Sequence, residues 1–597
     1  MRKFLGLVVF GIIVAIASVA VAAQPLFVAY PPANHKTTAD RIFLIGTAPA
    51  PGQVLVNGNQ ISRTASGHFA PTFPLQLGEN VFTLRYDNQE VKIKVTRESN
   101  QPVAPVGLAF AKDSLTPKVD VASLPGEYIC FGAIAPANAQ VAVKLAGVTI
   151  PLKARSQVEL PDNKSVLLGE NSPIKKGGSE QYQGCGKTPE NALSSQGETV
   201  DLGVPSFELT MNDRTISQQG TGKISILSPA DLEIAEVTAD PGVARTGAST
   251  DFSRMTPLPK GTRATIIGRE GEWIRLDYGA WIKAAEVRIV KDTVPPRSII
   301  RSASSRQVSG WTEVLFPLET PVPVTVQEGE RTFTLTLYNT TAQTDIIRLS
   351  DDPVISRLEW QQIAPLQVQY TFNLKSAQQW GYKLRYEGTT LVLSLKNPPT
   401  NTSMIPVSQA KPLSGIKILI DPGHGGPEDG GAVSPVGIRE KTVALTVSKL
   451  VREELINRGA NVLMTRLEDV DLDLPPRVEM IQKEEPAIAI SIHYNALPDN
   501  GDAIKTKGVG AFWFHPQAHS LAMFLHNYLV AKLNRPSYGV FWNNLAMTRP
   551  AVAPSVLMEL GFMINPEEFE WIVNPTEQKK LAEAIAQGVT EWFASVK

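Results

Sequence analysis

His424, His493 and Glu559 each stand where an apolar, strand-like run ends, the position at which an open α/β sheet forms its ligand-binding crevice. Two imidazoles and a carboxylate at such a rim suit a hydrolase that works with a metal ion. His424 lies in the turn Asp421-Pro422-Gly423-His424-Gly425-Gly426, whose glycines let another group approach closely. His493 follows Ser491-Ile492 and precedes Tyr494-Asn495-Ala496. Either imidazole alone reads more simply as a satisfied structural histidine.

Glu559 is the costlier residue to place. It sits between Val556-Leu557-Met558 and Leu560, and an unpaired charge buried in so apolar a stretch is expensive, so it should be paired, protonated or catalytic. A catalytic zinc site takes three protein ligands of N and O type and leaves a fourth position for water, and the candidate third ligand is Glu440 in Gly437-Ile438-Arg439-Glu440-Lys441. On local grounds alone, Glu440 is equally an acid favoured by the dipole at a helix amino terminus. The remaining histidines complete no such set: His515 ends a strand, His519 and His526 lie on a helix, and His35 and His68 fall in a distant β-rich stretch.

The elements around these residues alternate. Ile416 to Ile420 is a short, nearly continuous apolar run that suits a parallel strand buried on both faces. Val443, Val447, Leu450 and Val451 then share one helical face, with Arg458-Gly459 as a stop. Further strands are expected at Ala460 to Thr465, Ala487 to Ile492, Val509 to Phe514 and Ser555 to Met558, and a helix at Leu521 to Leu533. A last helix starts at Asn574-Pro575-Thr576-Glu577, with Asn as cap and Pro at the first position. Strand and helix in alternation predict an α/β domain over residues 414–597.

Four stretches in this order, Asp421 to Gly426, Arg439-Glu440-Lys441, Ser491 to Ala496 and Met558-Glu559-Leu560-Gly561-Phe562, resemble the zinc-dependent N-acetylmuramoyl-L-alanine amidases. The resemblance implies that His424, Glu440 and His493 bind zinc (Zn2+) and that Glu559 is the catalytic acid/base. It also implies a peptidoglycan hydrolase that cleaves the amide between the lactyl group of N-acetylmuramic acid and L-alanine. Arg549, shortly before the Glu559 strand, is a candidate to bind a substrate carboxylate or the developing oxyanion, or is a plain surface arginine. Asn495 is the other candidate near the substrate, although it reads better as support for the His493 turn. Some family members plug the zinc site with an inserted helix; here only a short polar loop, Leu497 to Lys507, separates His493 from the next strand, so an unblocked site is expected.

One catalytic domain does not account for 597 residues, a length that suggests roughly three to five domains. Upstream, short alternating runs broken by Gly, Pro, Asn and Asp predict all-β modules. Residues 25–98, with a hairpin signal at Asn57-Gly58, resemble bacterial immunoglobulin-like modules. Residues 103–220 read as a second β module of unclear type, with possible strands near Val141 to Ile150 and Val166 to Leu168 and a loose loop from Lys175 to Glu198 tied by a disulfide. Residues 224–291 resemble a bacterial Src-homology-3-like barrel, in which Trp273 and Trp281 are either core or an aromatic groove for a peptide or glycan. Residues 295–397 read as a β-sandwich similar to the targeting (AMIN-like) modules that precede some exported amidases, and 398–413 as a linker.

Arg2 and Lys3 before an apolar run from Phe4 to Ala20, then Val21, Ala22 and Ala23, predict a secretory signal over residues 1–23, or an uncleaved anchor. An exported chain of the periplasm or cell wall follows, with no stable membrane span once the signal is cleaved. A disulfide is the economical reading of Cys130 and Cys185, two separately buried thiols being the alternative. Lys plus Arg (57) nearly balances Asp plus Glu (58), so no global field points to nucleic acid or an anionic membrane. Two other functions use the same features: a zinc metallopeptidase acting within the stem peptide, and a non-catalytic wall-binding scaffold.

Overall fold

The computed structural model describes residues 25–99, 105, 107–155, 158–163, 165–168, 172–175, 180–189, 198–230, 232–292, 294–399 and 411–596. The expected signal, residues 1–23, and most of the expected linker lie outside the described residues. Among the described residues no helix is long and apolar enough to cross a membrane.

Upstream of residue 400 the described chain is β-structure with two 3-10 turns and no α-helix. Residues 27–97 form small sheets around a core that includes Ile42, Val56, Phe82 and Val95. A six-stranded sheet follows, whose strands Tyr128–Ala135 and Glu180–Lys187 pair directly through Cys130 and Cys185, and a disulfide joins the two. Cys185 is therefore on a strand, where the sequence suggested a loose loop, and the residues near Val166 form a 3-10 turn, Ser165–Leu168, in place of a strand.

The boundary drawn near residue 220 is crossed by hydrogen bonds. Val121–Ser123 lies between Ile224–Ile226 and Arg263–Glu270, so one sheet runs through both modules. Local periodicity reports each strand but not its distant partner, which is why the sequence suggested two units. Trp273 is buried (6% exposed) with Lys283 over its ring, whereas Trp281 is half-buried. Residues 298–396 form a five-stranded and a four-stranded sheet around a shared core with Phe316, Phe333, Tyr370 and Phe372 at its centre.

Residues 417–595 alternate strand and helix: β1 (Lys417–Pro422), α1 (Glu440–Asn457), β2 (Asn461–Met464), α2 (Leu474–Glu484), β3 (Ile488–Asn495), β4 (Val509–Trp513), α3 (Pro516–Leu533), β5 (Ser537–Trp542), β6 (Ser555–Phe562), α4 (Pro566–Ile572) and α5 (Pro575–Ser595). The sheet order is β2-β1-β3-β6-β4-β5, with β1, β2, β3 and β6 parallel and the β4-β5 pair running the opposite way. Val443, Val447, Val451 and Leu455 recur every fourth residue along α1 and bury that face against Ile418, Ile420, Ile488 and Ile490. The other sheet face packs Leu419 and Ala489 against Ile481 of α2 and Trp311 of the preceding sandwich. Both faces are covered, which explains the continuous apolar runs of β1 and β3. α2, α4 and β5 were not legible in the sequence; Leu474-Pro475-Pro476 looks like a loop, yet both prolines sit where a helix tolerates them, in its first turn.

Upstream residues also pack on the loops at the carboxyl ends of β3 and β6. Tyr30 and His35 both bond to Asp499, and Phe43, Ile45 and Ala70 form one apolar cluster with Ala503, Phe562 and Ile564. The first β module thus braces the segments that follow His493 and Glu559.

Candidate metal centre and active site

Parallel pairing brings the candidates together. β1, β3 and β6 end at the same rim, and His493 and Glu559 are direct cross-strand partners. Glu440 is the first residue of α1 and is 3% exposed. His424 Nε2 lies 3.2 Å from Glu440 Oε2 and His493 Nδ1 lies 2.9 Å from Glu440 Oε1. The two imidazole centroids are 4.9 Å apart, and one ligand atom from each of His424, Glu440 and His493 lies within 4.8 Å of the other two.

Backbone conformation makes room for this. His424 has φ 54°, a left-handed value that a non-glycine residue holds only where its surroundings enforce it. A Cβ at Gly423 would stand 2.4 Å from the His493 ring, and one at Gly431 would stand 2.5 Å from Glu440 Oε2, so both positions require glycine.

Charge is arranged with equal care. Glu440 accepts the backbone N–H groups of Ala432 (2.9 Å) and Tyr494 (3.0 Å) in addition to facing both histidines. Burial alone would raise its pKa, but His424 and His493 hold it well below the ordinary carboxylate range. Burial opposes a charge on His424, and the carboxylates of Glu440 and Asp429 outweigh it, raising its pKa to about 9. Asp429 Oδ1 lies 2.6 Å from His424 Nδ1 and leaves Nε2 turned toward Glu440. Among the described residues this His-Glu-His trio is the one grouping of donors with metal-site spacing.

Glu559 is different in kind. Its side chain is half-buried, and its Oε2 is sealed from solvent and makes no hydrogen bond among the described residues. Burial first, and then the negative charge of Glu440, push its pKa well above the ordinary value. A buried oxygen without a partner beside three metal-type donors is unstable on its own terms and suits a group that accepts a proton from a reactant.

The rim rests on residues the sequence did not flag. Asp421 at the end of β1 is buried and takes hydrogen bonds from Arg477 (2.8 Å), Ser491 (2.6 Å) and Thr465 (2.5 Å). Arg477 also donates to the carbonyls of Pro422 and His424, and Arg466 to those of Pro422, Gly423 and Lys441. Two buried guanidiniums thereby fix the carbonyls of the His424 turn. Arg477→Ala leaves Asp421 charged and unpaired at 1% side-chain exposure and should cost about 3–5 kcal/mol, read as an earlier unfolding transition of the catalytic domain. Asp429→Asn keeps the shape but weakens the hold on His424 Nδ1, and should lower metal affinity about 10–100-fold in a competition titration.

Arg549 is not at this rim. It precedes Ser555, the first residue of β6, and Glu559 lies four residues further along that strand, about 13 Å at ~3.3 Å per residue. Because β6 runs toward the metal residues, Arg549 stands at the opposite end of the sheet, bonded to Asn544 through Nε (2.8 Å). A role at the scissile bond is excluded by that placement. Asn495 lies near His493, but its Oδ1 accepts from Ala496 N (2.8 Å) and its carbonyl from Met563 N (3.3 Å), so it fastens the turn to the segment after Glu559.

Residues 418–591 match the family described as N-acetylmuramoyl-L-alanine amidase. A germination-specific N-acetylmuramoyl-L-alanine amidase of Bacillus subtilis is 35% identical over 199 residues, which cover 30% of this chain and 81% of that protein. The chain belongs to the N-acetylmuramoyl-L-alanine amidase family. A probable cell wall amidase of Staphylococcus epidermidis, LytH, is 32% identical over 195 residues, 32% of this chain and 64% of that protein. Among solved structures, the catalytic domain of CwlV from Bacillus (Paenibacillus) polymyxa var. colistinus is 28% identical and covers 30% of this chain and 99% of that one, with a TM-score of 0.29. The residues matched by the family fall in the C-terminal α/β domain.

Proposed function

We propose that this chain is an exported peptidoglycan hydrolase that cleaves the amide between the lactyl group of N-acetylmuramic acid and L-alanine, with zinc held by His424, Glu440 and His493. The observation that carries this reading is the convergence of those three donors beside the unpartnered Oε2 of Glu559. The donor set fits zinc, being two imidazole nitrogens and a carboxylate with metal-type spacing. A zinc ion there supplies Lewis acidity, polarising the amide carbonyl and acidifying water at neutral pH.

The chain's own residues do the rest. Glu559 takes the proton of the attacking water as its oxygen bonds to the lactyl carbonyl carbon, then delivers that proton to the alanine nitrogen as the C–N bond breaks. Glu440 and the two imidazoles would hold the ion together, with the Ala432 and Tyr494 N–H groups fixing the Glu440 carboxylate and Asp429 orienting His424 through Nδ1. The expected immunoglobulin-like, Src-homology-3-like and sandwich modules serve as wall-directed supports, and the amino-terminal signal directs the chain to the periplasm or cell wall.

His424 and His493 remain partly open, and the loop from Leu497 to Lys507 contains no helix and is tied to the first β module through Asp499. The full chain should therefore digest purified peptidoglycan without an activating partner; inactivity relieved by removing residues 497–507 would contradict this. Product analysis tests the bond assignment. A new free lactyl carboxyl on muramic acid with a free L-alanine amine supports it, and cleavage between two amino acids of the stem peptide would replace it with the peptidase reading.

A further inference from the structure

Beside Glu559 the sheet carries a row of aromatic rings that the proposed chemistry does not use. Glu559 on β6 pairs with Gly510 on β4, and Gly510 pairs with Gly539 on β5. Between β4 and β5 the register slips: Val509 faces Ser537 and Gly510 faces Gly539, so Tyr538 is the extra residue of a β-bulge. A bulge of this kind re-aims one side chain, and such bulges recur next to active sites. Tyr538 is turned onto the face that bears Glu559, because a Cβ at Gly510 would stand 3.1 Å from Tyr538 Cδ1 and 3.5 Å from Glu559 Cβ. Glycine at 510 thus leaves a notch between the acid and the ring.

Phe541 continues the same surface. Its ring stacks on Phe512, with centroids 5.1 Å apart and planes 20° from parallel, and lies 5.3 Å from the Tyr538 ring. The alternating residues Ala511, Trp513 and Val540 pack on the opposite face, into the core that holds Leu521 and Leu525 of α3. On the face of Phe512 and Phe541, the cover given by Ile481 of α2 and by Trp311 lies over Leu419 and Ala489, on the other side of β6. Phe541, on the edge strand, stays half-buried. Tyr538 is fixed from two sides: its ring meets Phe562 edge-on (4.9 Å, 82°), and its hydroxyl donates to the Leu167 carbonyl (2.5 Å) in the 3-10 turn of the second β module. The rings form a rigid row leading away from Glu559, and β5 lies two strands from β6, about 10 Å at ~4.8 Å per strand.

The group that rests there should be apolar on one face and uncharged. Burial first, then the charge of Glu559, push the Tyr538 pKa up to about 12, so the ring is a neutral phenol beside an acidic site. A stem peptide carries carboxylates, which Glu559 and Glu440 disfavour; an N-acetylated sugar whose lactyl carboxyl is tied up in the amide is neutral and offers C–H groups to an aromatic face. We propose that Phe541 and Tyr538 form a shelf on which an N-acetylated hexose of the glycan strand stacks, one or two sugar units from the amide being cut. The proposal rests on the peptidoglycan reading above and adds glycan recognition to it. The lactyl group and one or two sugar rings span the gap from Glu559 to Phe541, so the shelf is continuous with the catalytic rim, and aromatic contact with few polar groups is the usual make-up of such a subsite.

The test is calorimetric titration of the zinc-loaded full chain carrying Glu559→Gln, which separates binding from turnover, with two soluble ligands that share one stem peptide. One is the disaccharide-peptide of N-acetylglucosamine and N-acetylmuramic acid; the other bears only the lactyl group in place of the sugars. The parent should bind the disaccharide-peptide about three- to tenfold more tightly. Phe541→Leu, which keeps apolar bulk but loses the flat face, should remove most of that preference, Tyr538→Leu should reduce it, and Phe541→Tyr should keep it. Equal affinities in the parent overturn the shelf, and so does a preference that survives Phe541→Leu, including one that survives because both affinities fall by the same factor. Unfolding temperatures matched to the parent confirm an intact fold, and Tyr538→Leu carries the test if Phe541→Leu does not match. The bond cut by the wild type is read separately from its products, so a cut between two amino acids would overturn the amidase reading while the sugar preference is judged on its own.

Discussion

Glu559→Gln is expected to lower hydrolysis of peptidoglycan by about 10²–10⁴-fold while metal stoichiometry stays that of the wild type. Gln fills the same space but cannot carry a proton from water to the leaving amine. The same substitution should stabilise the metal-free protein. The wild-type side chain has an Oε2 with no partner among the described residues, and its pKa is raised by burial and by Glu440. A carboxyl whose folded pKa lies above its unfolded value binds more protons folded than unfolded between the two, so stability falls as pH rises across that window. Gln removes this dependence, and the metal-free variant should unfold later than the wild type by about 1–3 kcal/mol, with the gap widening as pH rises above the ordinary carboxylate range. Thermal scans of both proteins across pH, with a turnover assay in parallel, check both halves. Retained turnover would remove Glu559 from the mechanism; equal stability would mean that its buried oxygen has a partner in solution.

Glu440→Ala should behave in the opposite sense on stability and worse on metal. Glu440 faces two imidazoles and accepts two backbone N–H groups, from Ala432 and Tyr494. Removing it deletes one of the three proposed ligands, so the loss of metal affinity should exceed the about 10–100-fold expected for a residue that only orients a ligand. It also leaves buried donors unsatisfied, at about 1–3 kcal/mol each, so the metal-free variant should unfold earlier than the wild type. Two glutamates of one site, one stabilising when removed and one destabilising, distinguish a proton carrier from a ligand that organises the centre. Metal content after dialysis and unfolding temperature are the readouts, and a stoichiometric, wild-type-stable Glu440→Ala protein would contradict the assignment.

The four candidate side chains were legible because each sits at a break in periodicity: His424 and His493 at strand ends, Glu559 inside an apolar strand, Glu440 where a helix begins. Those breaks survive folding because parallel strands deliver their carboxyl ends to one rim. Arg549 misled for the same geometric reason. Closeness in sequence to Glu559 looked like closeness in space, but a residue that enters a strand and a residue near its exit are separated by the strand's length. Asp429, Arg466 and Arg477 went unread because isolated charged residues in turns and short helices look like solvated surface; only the tertiary fold shows that the two arginines are buried against carbonyls. The shared sheet joining Val121–Ser123 to Arg263–Glu270 was invisible because strand pairing between distant segments leaves no local pattern.

The most direct test of the account is hydrolysis of purified peptidoglycan by the full chain before chelation, after chelation and after zinc is restored, with bound zinc measured at each stage. The account predicts one zinc per chain, loss of lactyl-alanine cleavage when it is removed, and recovery on its return in the wild type but not in Glu440→Ala. Full cleavage by a chelated, zinc-free protein would contradict it.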